Sequence, residues 1–315
     1  MNAFPTLTDI KKAAKRIKPY IHRTPLLTNK SINKLLDAEL YFKCENLQKV
    51  GAFKFRGAVN AVLSLSNEEA QKGVATHSSG NHAAALTLAA RQRGIKAYIV
   101  MPRTAPAVKK RAVEEYGAEI VFCEPAYQSR EKHLEEVIHQ TQAIFIHPYN
   151  DLRIICGQAT ACLEMLEEKE NLDLIIAPVG GGGLLSGTAL SAAYISPSTS
   201  VVGSEPEGAD DAFRSLQKGE IIPSLNPKTI ADGLLTSLGT LTYPIIVKYV
   251  KRILTTNDDL IVFAMRLIWE RMKLIVEPSA AVALAVLLKN KIIARNKKIG
   301  IILSGGNVDL DNLPW

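Results

Sequence analysis

Between residues 70 and 147 the chain alternates short apolar runs with longer amphipathic stretches. The runs Val74–His77, 97–101, Glu119–Cys123 and 143–146 have the length and side chains of buried strands. The intervening stretches Asn81–Arg93, Ala107–Tyr116 and 129–141 are of helical length, and Gly117 marks a helix stop. Four strands separated by helices predict βαβ units and a parallel sheet. The alternation resumes further on. Helices are predicted over 154–168, 184–194, 257–272 and 278–288, and strands over 173–177, 201–204 and Lys298–Leu303. Residues 206–242 are rich in Pro, Gly, Asp and Thr and read mostly as loop. The first 20 or so residues read as a helix packed on the outside. The fold class is therefore α/β with two open sheets.

Composition narrows the function classes. With 315 residues, 47% apolar and 22% charged, the chain suits two globular domains framing a cleft. The net charge is +7, but the basic residues are scattered, so a solvated surface is expected and a nucleic-acid partner is not. No apolar run approaches the roughly 20 residues of a membrane span. Cys44, Cys123, Cys156 and Cys162 form no CxxC pair and read as reduced, buried thiols. Asp9, Lys11 and Lys12 interrupt any apolar leader, so the expected localisation is cytoplasmic.

Five segments carry candidate chemistry. Gly180, Gly181, Gly182 and Gly183 follow a predicted strand and precede Leu184 in a predicted helix. Bare backbone at a helix start offers consecutive N–H groups to an anion. The run lacks both the Walker lysine and the GxGxxG spacing, so a single phosphate fits best. Lys54 lies between Phe53 and Phe55. Flanking aromatics lower local polarity and favour the neutral amine that Schiff-base chemistry needs, although a strand with alternating faces gives the same pattern. Ser78, Ser79, Gly80, Asn81 and His82 sit at a strand end leading into a helix, a place for a carboxylate or for a plain cap by Ser79 or Asn81. Ser304 follows the last strand in a Ser-Gly-Gly-Asn turn, where its hydroxyl can meet a heteroaromatic nitrogen. The stretch from Ser204 to Asp211 has the carboxylate density of a hard-cation site or of a solvated acidic loop, and spacing alone favours the loop.

Together with Tyr41-Phe42-Lys43-Cys44-Glu45, Ile230-Ala231-Asp232-Gly233 and Glu277-Pro278-Ser279, these segments resemble the fold-type II pyridoxal-phosphate enzymes of the serine racemase and serine/threonine dehydratase family. The resemblance runs over nearly the whole chain. It implies the tryptophan-synthase-β-like architecture, with a large domain (1–64 and 150–315), a small mobile domain (65–149) and the active site in the cleft between them. It implies that Lys54 carries the cofactor and serves as base on one face of the substrate, with Ser79 on the other. Gly180 to Gly183 and Leu184 hold the phosphate, Phe53 lies on the ring, Asn81 meets the ring hydroxyl and Ser304 the ring nitrogen. Ser78, Ser79, Asn81, His82, Arg130 and Thr236 bind substrate. Glu205, the carbonyl of Ala209 and Asp211 bind Mg²⁺, Ca²⁺ or Mn²⁺, which reverses the loop preference above. A homodimer acting on a small amino acid is implied.

The implied activity is serine racemisation with accompanying elimination to pyruvate and ammonia. Threonine/serine ammonia-lyase or 3-hydroxyaspartate dehydratase activity without racemisation is the alternative, and a non-catalytic phosphate-ligand binder is a third reading. Ser79 discriminates, because racemisation needs a proton donor on each face. Many plain threonine dehydratases resemble Ser-Ala-Gly-Asn-His here. Two departures stand out. Ala83 and Ala84 replace the family's Gly/Ala-Gln, and Thr28-Asn29-Lys30 replaces the Thr-Ser-Ser of nucleotide-binding animal racemases, which argues against nucleotide activation.

Overall fold

The computed structural model describes residues 4–105 and 107–315, the side chains of 107–109 and 127 excepted. Among these residues ten strands form two sheets. In chain order they are β1 (Leu26–Leu27), β2 (Glu39–Cys44), β3 (Val74–His77), β4 (Ala97–Pro102), β5 (Glu119–Cys123), β6 (Ile144–Phe145), β7 (Leu174–Pro178), β8 (Ser200–Pro206), β9 (Arg252–Thr256) and β10 (Lys298–Leu303). The smaller sheet has the order β5-β4-β3-β6 and is parallel throughout, as the alternating pattern predicts. The larger has the order β1-β2-β10-β7-β8-β9, with only β1 antiparallel.

The sequence reading needs correction at five places. The strands Glu39–Cys44 and Arg252–Thr256 carry polar or charged residues among the apolar ones and were not predicted. Lys43 in particular is wholly buried, where an alternating pattern would put it in solvent. The supposed loop 206–242 contains the amphipathic helix Asp211–Lys218. Phe53 and Lys54 do not lie on a strand, since Lys54 is the first residue of the helix Lys54–Leu63. Gly80, making no side-chain cap bond, occupies the N-cap position that the cap reading gave to Ser79 or Asn81.

Three helices bring distant chain segments into one register. Lys54–Leu63, Leu152–Glu168 and Gly183–Ile195 pack side by side, touching where each has a glycine. A methyl group on Gly157 would lie 2.4 Å from the carbonyl oxygen of Arg56, and one on Gly187 would lie 2.6 Å from the nitrogen of Ala159. The backbones thus meet directly, which fixes how far the start of one helix stands from the start of the next.

Buried charge reinforces that register. Arg56 is fully buried and bonds Glu45 at 2.7 and 2.9 Å and Glu164 at 2.8 Å through two nitrogens. Lys43 joins Glu164 at 2.7 Å and the Thr24 carbonyl at 2.7 Å. Burial alone would raise Glu164, but the bonds from Arg56 and Lys43 outweigh it and hold the carboxyl below its usual range. Two cations thus face two carboxylates, so no charge is left uncompensated in this cluster. The N-terminal helix Leu7–Ile17 opens with a Thr6–Asp9 capping box and buries Ile10, Ala13 and Ile17.

Candidate active site

Residues from five separate segments meet at the carboxyl ends of the strands. After β10, Ser304 is buried, and its carbonyl accepts the Phe53 N–H at 3.0 Å, while Ala52 bridges Gly305. This short pairing delivers Lys54 to the end of the larger sheet. The Lys54 amine donates to the Pro148 carbonyl at 3.0 Å. Burial pushes it down to about 8 from its usual 10.5, against the opposing negative charge of Glu277. The Phe53 ring lies 5.2 Å from the amine, but Phe55 turns into the core beside Ala58 and Val59. Only one of the two flanking aromatics therefore reaches the lysine, and burial is what lowers its basicity.

The glycine run follows β7. Gly182 adopts φ 87°, a left-handed conformation suited to glycine, and caps the helix that begins at Gly183. A methyl group on Gly181 would strike the Tyr149 ring at 2.3 Å. The Thr236 hydroxyl would lie 3.4 Å from one on Gly180, so Thr236 stands beside the run. Next to Gly183 is Gln158, fully buried, with neither amide atom hydrogen-bonded. Leu184 is a core side chain and contributes only backbone to this turn.

From the smaller sheet, the helix Asn81–Arg93 starts beside Lys54. The Asn81 amide donates to both Glu277 oxygens, at 3.0 and 3.1 Å, and its oxygen accepts from Asn307 at 2.9 Å. His82 is buried and its Nε2 donates to the Ile146 carbonyl at 3.2 Å, leaving Nδ1 with a lone pair and no partner. Burial and the Lys54 charge hold the ring well below the usual histidine range, so it is neutral. That tautomer cannot donate to a carboxylate from Nδ1, and the donors this run offers are the Ser78 and Ser79 hydroxyls and the Asn81 and His82 backbone N–H groups at the helix start. Ser78 caps its own turn, accepting from the Gly80 N–H at 3.3 Å, and Ser79 is partly exposed in the same loop. Arg130 lies on the helix Tyr127–Thr141. It donates to the Pro125 carbonyl at 3.2 Å, its Nε is buried without a partner, and its charge helps burial depress His77.

Glu205 and Asp211 form a second, separate acidic pair. Glu205 accepts the N–H groups of Ala212 at 3.0 Å and Phe213 at 2.8 Å, and the two buried Asp211 oxygens make no close hydrogen bond, with the Ser224 side chain near enough to offset part of their burial. Burial, then the Asp211 charge, pushes Glu205 up to about 9, and burial pushes Asp211 up to about 6. Among the described residues no three His, Cys, Asp or Glu side chains cluster for a metal, so any cation here would depend on this pair and the Ala209 carbonyl.

Sequence reasoning missed Pro148, Tyr149 and His147, which complete the Lys54 surroundings. The signal was the turn composition His-Pro-Tyr-Asn-Asp directly after a predicted strand.

A buried lysine of lowered basicity beside a bare-backbone helix start, at the strand ends of an open α/β sheet, defines a phosphate-cofactor enzyme with a lysine-bound carbonyl. The chain belongs to the family described as pyridoxal-phosphate dependent enzyme, whose model matches residues 17–305. It is 53% identical to a serine racemase of Dictyostelium discoideum over 98% of this chain and 96% of that protein. A crystal structure of serine racemase from the same organism superposes with a TM-score of 0.94, covering 98% of this chain and all of that one. The β-hydroxyaspartate dehydratase of Paracoccus denitrificans is 51% identical over 99% of both chains. A solved structure of maize serine racemase is 46% identical, with a TM-score of 0.96 over 98% of this chain and 95% of that one.

The glycine cradle, the adjoining unpartnered Gln158 amide and the buried amine suit pyridoxal phosphate. No helix among the described residues is long and apolar enough to cross a membrane.

Proposed function

We propose that the protein racemises serine and also eliminates water from it, giving pyruvate and ammonia. The observation that carries this reading is the Lys54 amine, buried, lowered to about 8 and held between the Pro148 carbonyl and the Phe53 ring. Such an amine is a base near neutral pH, where a free lysine is not. Gly180 to Gly183 would hold the phosphate of pyridoxal phosphate through backbone N–H groups, and Asn81, Ser304 and Phe53 would hold its ring. Bound there, the cofactor supplies an electron sink for negative charge at the substrate α-carbon.

Lys54 takes the α-proton from one face. Ser79 returns a proton on the other, and the enantiomer results. Loss of the β-hydroxyl as water leaves an enamine whose hydrolysis gives pyruvate and ammonia. Ser78, Asn81 and the helix-start N–H groups, including that of His82, hold the substrate carboxylate, with Thr236 beside the phosphate and Arg130 closing from the smaller sheet. Residues 65–149 form the small domain that closes over substrate and excludes water, and 1–64 with 150–315 form the large one.

The identity to the Dictyostelium serine racemase supports serine. The Paracoccus relative favours a second reading, dehydration of 3-hydroxyaspartate without racemisation. Glu205, the Ala209 carbonyl and Asp211 would bind a divalent cation such as Mg²⁺. The two buried Asp211 oxygens, with no close hydrogen bond of their own, fit that role. The protein acts as a cytoplasmic homodimer, and its four free, buried cysteines suit a reducing compartment.

The test is product analysis of the holoenzyme with L-serine, L-threonine and 3-hydroxyaspartate. D-Serine together with pyruvate is the predicted result. A keto acid from 3-hydroxyaspartate with no D-serine would transfer the case to the second reading.

A further inference from the structure

We propose that His147 is a positioning residue for Lys54, acting through the turn at 148–150; this rests on the reading of Lys54 as the reactive amine. Three consecutive residues of that turn are each committed to a different contact. The Pro148 carbonyl accepts from the Lys54 amine at 3.0 Å. The Tyr149 ring fills the space a side chain on Gly181 would need. Asn150 accepts the Leu241 N–H at 2.7 Å and donates to the Thr240 hydroxyl at 3.0 Å.

What closes the turn is the His147 ring. Its Nδ1 accepts the Tyr149 N–H at 3.2 Å and the Asn150 N–H at 2.9 Å. Two backbone donors on one nitrogen require a lone pair there, so the proton resides on Nε2 and the ring is neutral. The ring is wedged edge-on between Tyr149, with centroids 4.5 Å apart, and Phe145, at 5.6 Å. The turn joins β6 to the helix Leu152–Glu168, so this nitrogen fixes the Pro148 carbonyl against that helix. An amine giving one hydrogen to a fixed carbonyl keeps its lone pair on a fixed side, which is what attack on an incoming aldehyde requires.

Asparagine can replace the interaction, because its side-chain oxygen accepts the N–H groups two and three residues on. Leucine cannot. The experiment adds pyridoxal phosphate to cofactor-free protein, traps the product with borohydride over time and pH, and maps the modified peptide. Melting curves check that each variant is folded. Wild type should be modified at Lys54. His147→Leu should react about tenfold more slowly, the effect of losing one hydrogen bond of ordinary strength, that from the Lys54 amine to the Pro148 carbonyl, with its pH midpoint displaced. His147→Asn should restore rate and midpoint. A folded leucine variant with wild-type rate and midpoint overturns the proposal, as does an asparagine variant as slow as leucine. If the leucine variant does not fold, asparagine alone decides, its slow reaction overturning the proposal and its wild-type reaction supporting it. Wild type unmodified at Lys54 would instead refute the reading of Lys54, and this inference with it.

Discussion

Lys54 exchanges the hydration of a free ammonium for one carbonyl and one aromatic ring, and the exchange favours its neutral form. Glu277 opposes this, so the amine settles at about 8 and not lower. Protonation blocks reaction with an aldehyde, so the rate of cofactor capture should rise with pH. The predicted midpoint is near 8, and a midpoint near 10.5, the ordinary lysine value, would show that burial is not felt at the amine. The sequence made the lysine conspicuous but misjudged the reason. Phe53 and Phe55 look equivalent on paper, yet the helix that begins at Lys54 turns them to different sides. Val50, a β-branched residue at φ 56°, and the Asn307 amide that donates to its carbonyl at 2.7 Å left no trace in the pattern at all. Contacts of that kind join residues 257 positions apart, beyond the reach of any local periodicity.

At the level of elements, what matters is how two helix starts, at Lys54 and Gly183, come to face one another. The helix Leu152–Glu168 lies between them and touches both through glycines. Glu164, near its end, grips Arg56 two residues beyond Lys54. Replacing Arg56 with alanine would leave Glu45 and Glu164 buried without their partner. A loss of about 3–5 kcal/mol is expected, measurable by denaturant unfolding. A loss below about 1 kcal/mol would mean that water or Lys43 takes over the two carboxylates. The smaller sheet was legible almost residue for residue, since Val74–His77, Asn81–Arg93, Ala107–Tyr116 and Glu119–Cys123 fall where the pattern puts them. Parallel strands buried on both faces advertise themselves by unbroken apolar runs. Glu39–Cys44 did not, because its Lys43 is neutralised inside the protein and not by solvent.

Across the whole molecule, the two sheets present their carboxyl ends to a common region, where Asn81 from one reaches Glu277 and Asn307 from the other. The acidic pair Glu205 and Asp211 lies at another point along the carboxyl ends of the larger sheet, at the end of the interior strand β8. Burial raises both carboxyls, and the Asp211 charge raises Glu205 further; a divalent cation would relieve both effects. Added Mg²⁺ should therefore raise the melting temperature, and a chelator should lower it. The double variant Glu205→Gln, Asp211→Asn should melt independently of either. An unaltered wild-type melt with Mg²⁺ would leave Glu205 as a protonated structural carboxyl beside Asp211.

The central claim is two-faced proton transfer at the α-carbon by Lys54 and Ser79. It is tested most directly by chiral analysis of L-serine incubated with wild type and with Ser79→Ala. The account predicts D-serine and pyruvate from wild type, and pyruvate with D-serine formation reduced at least about a hundredfold from the variant, the scale of losing one general acid. D-Serine formed equally by both proteins would contradict it.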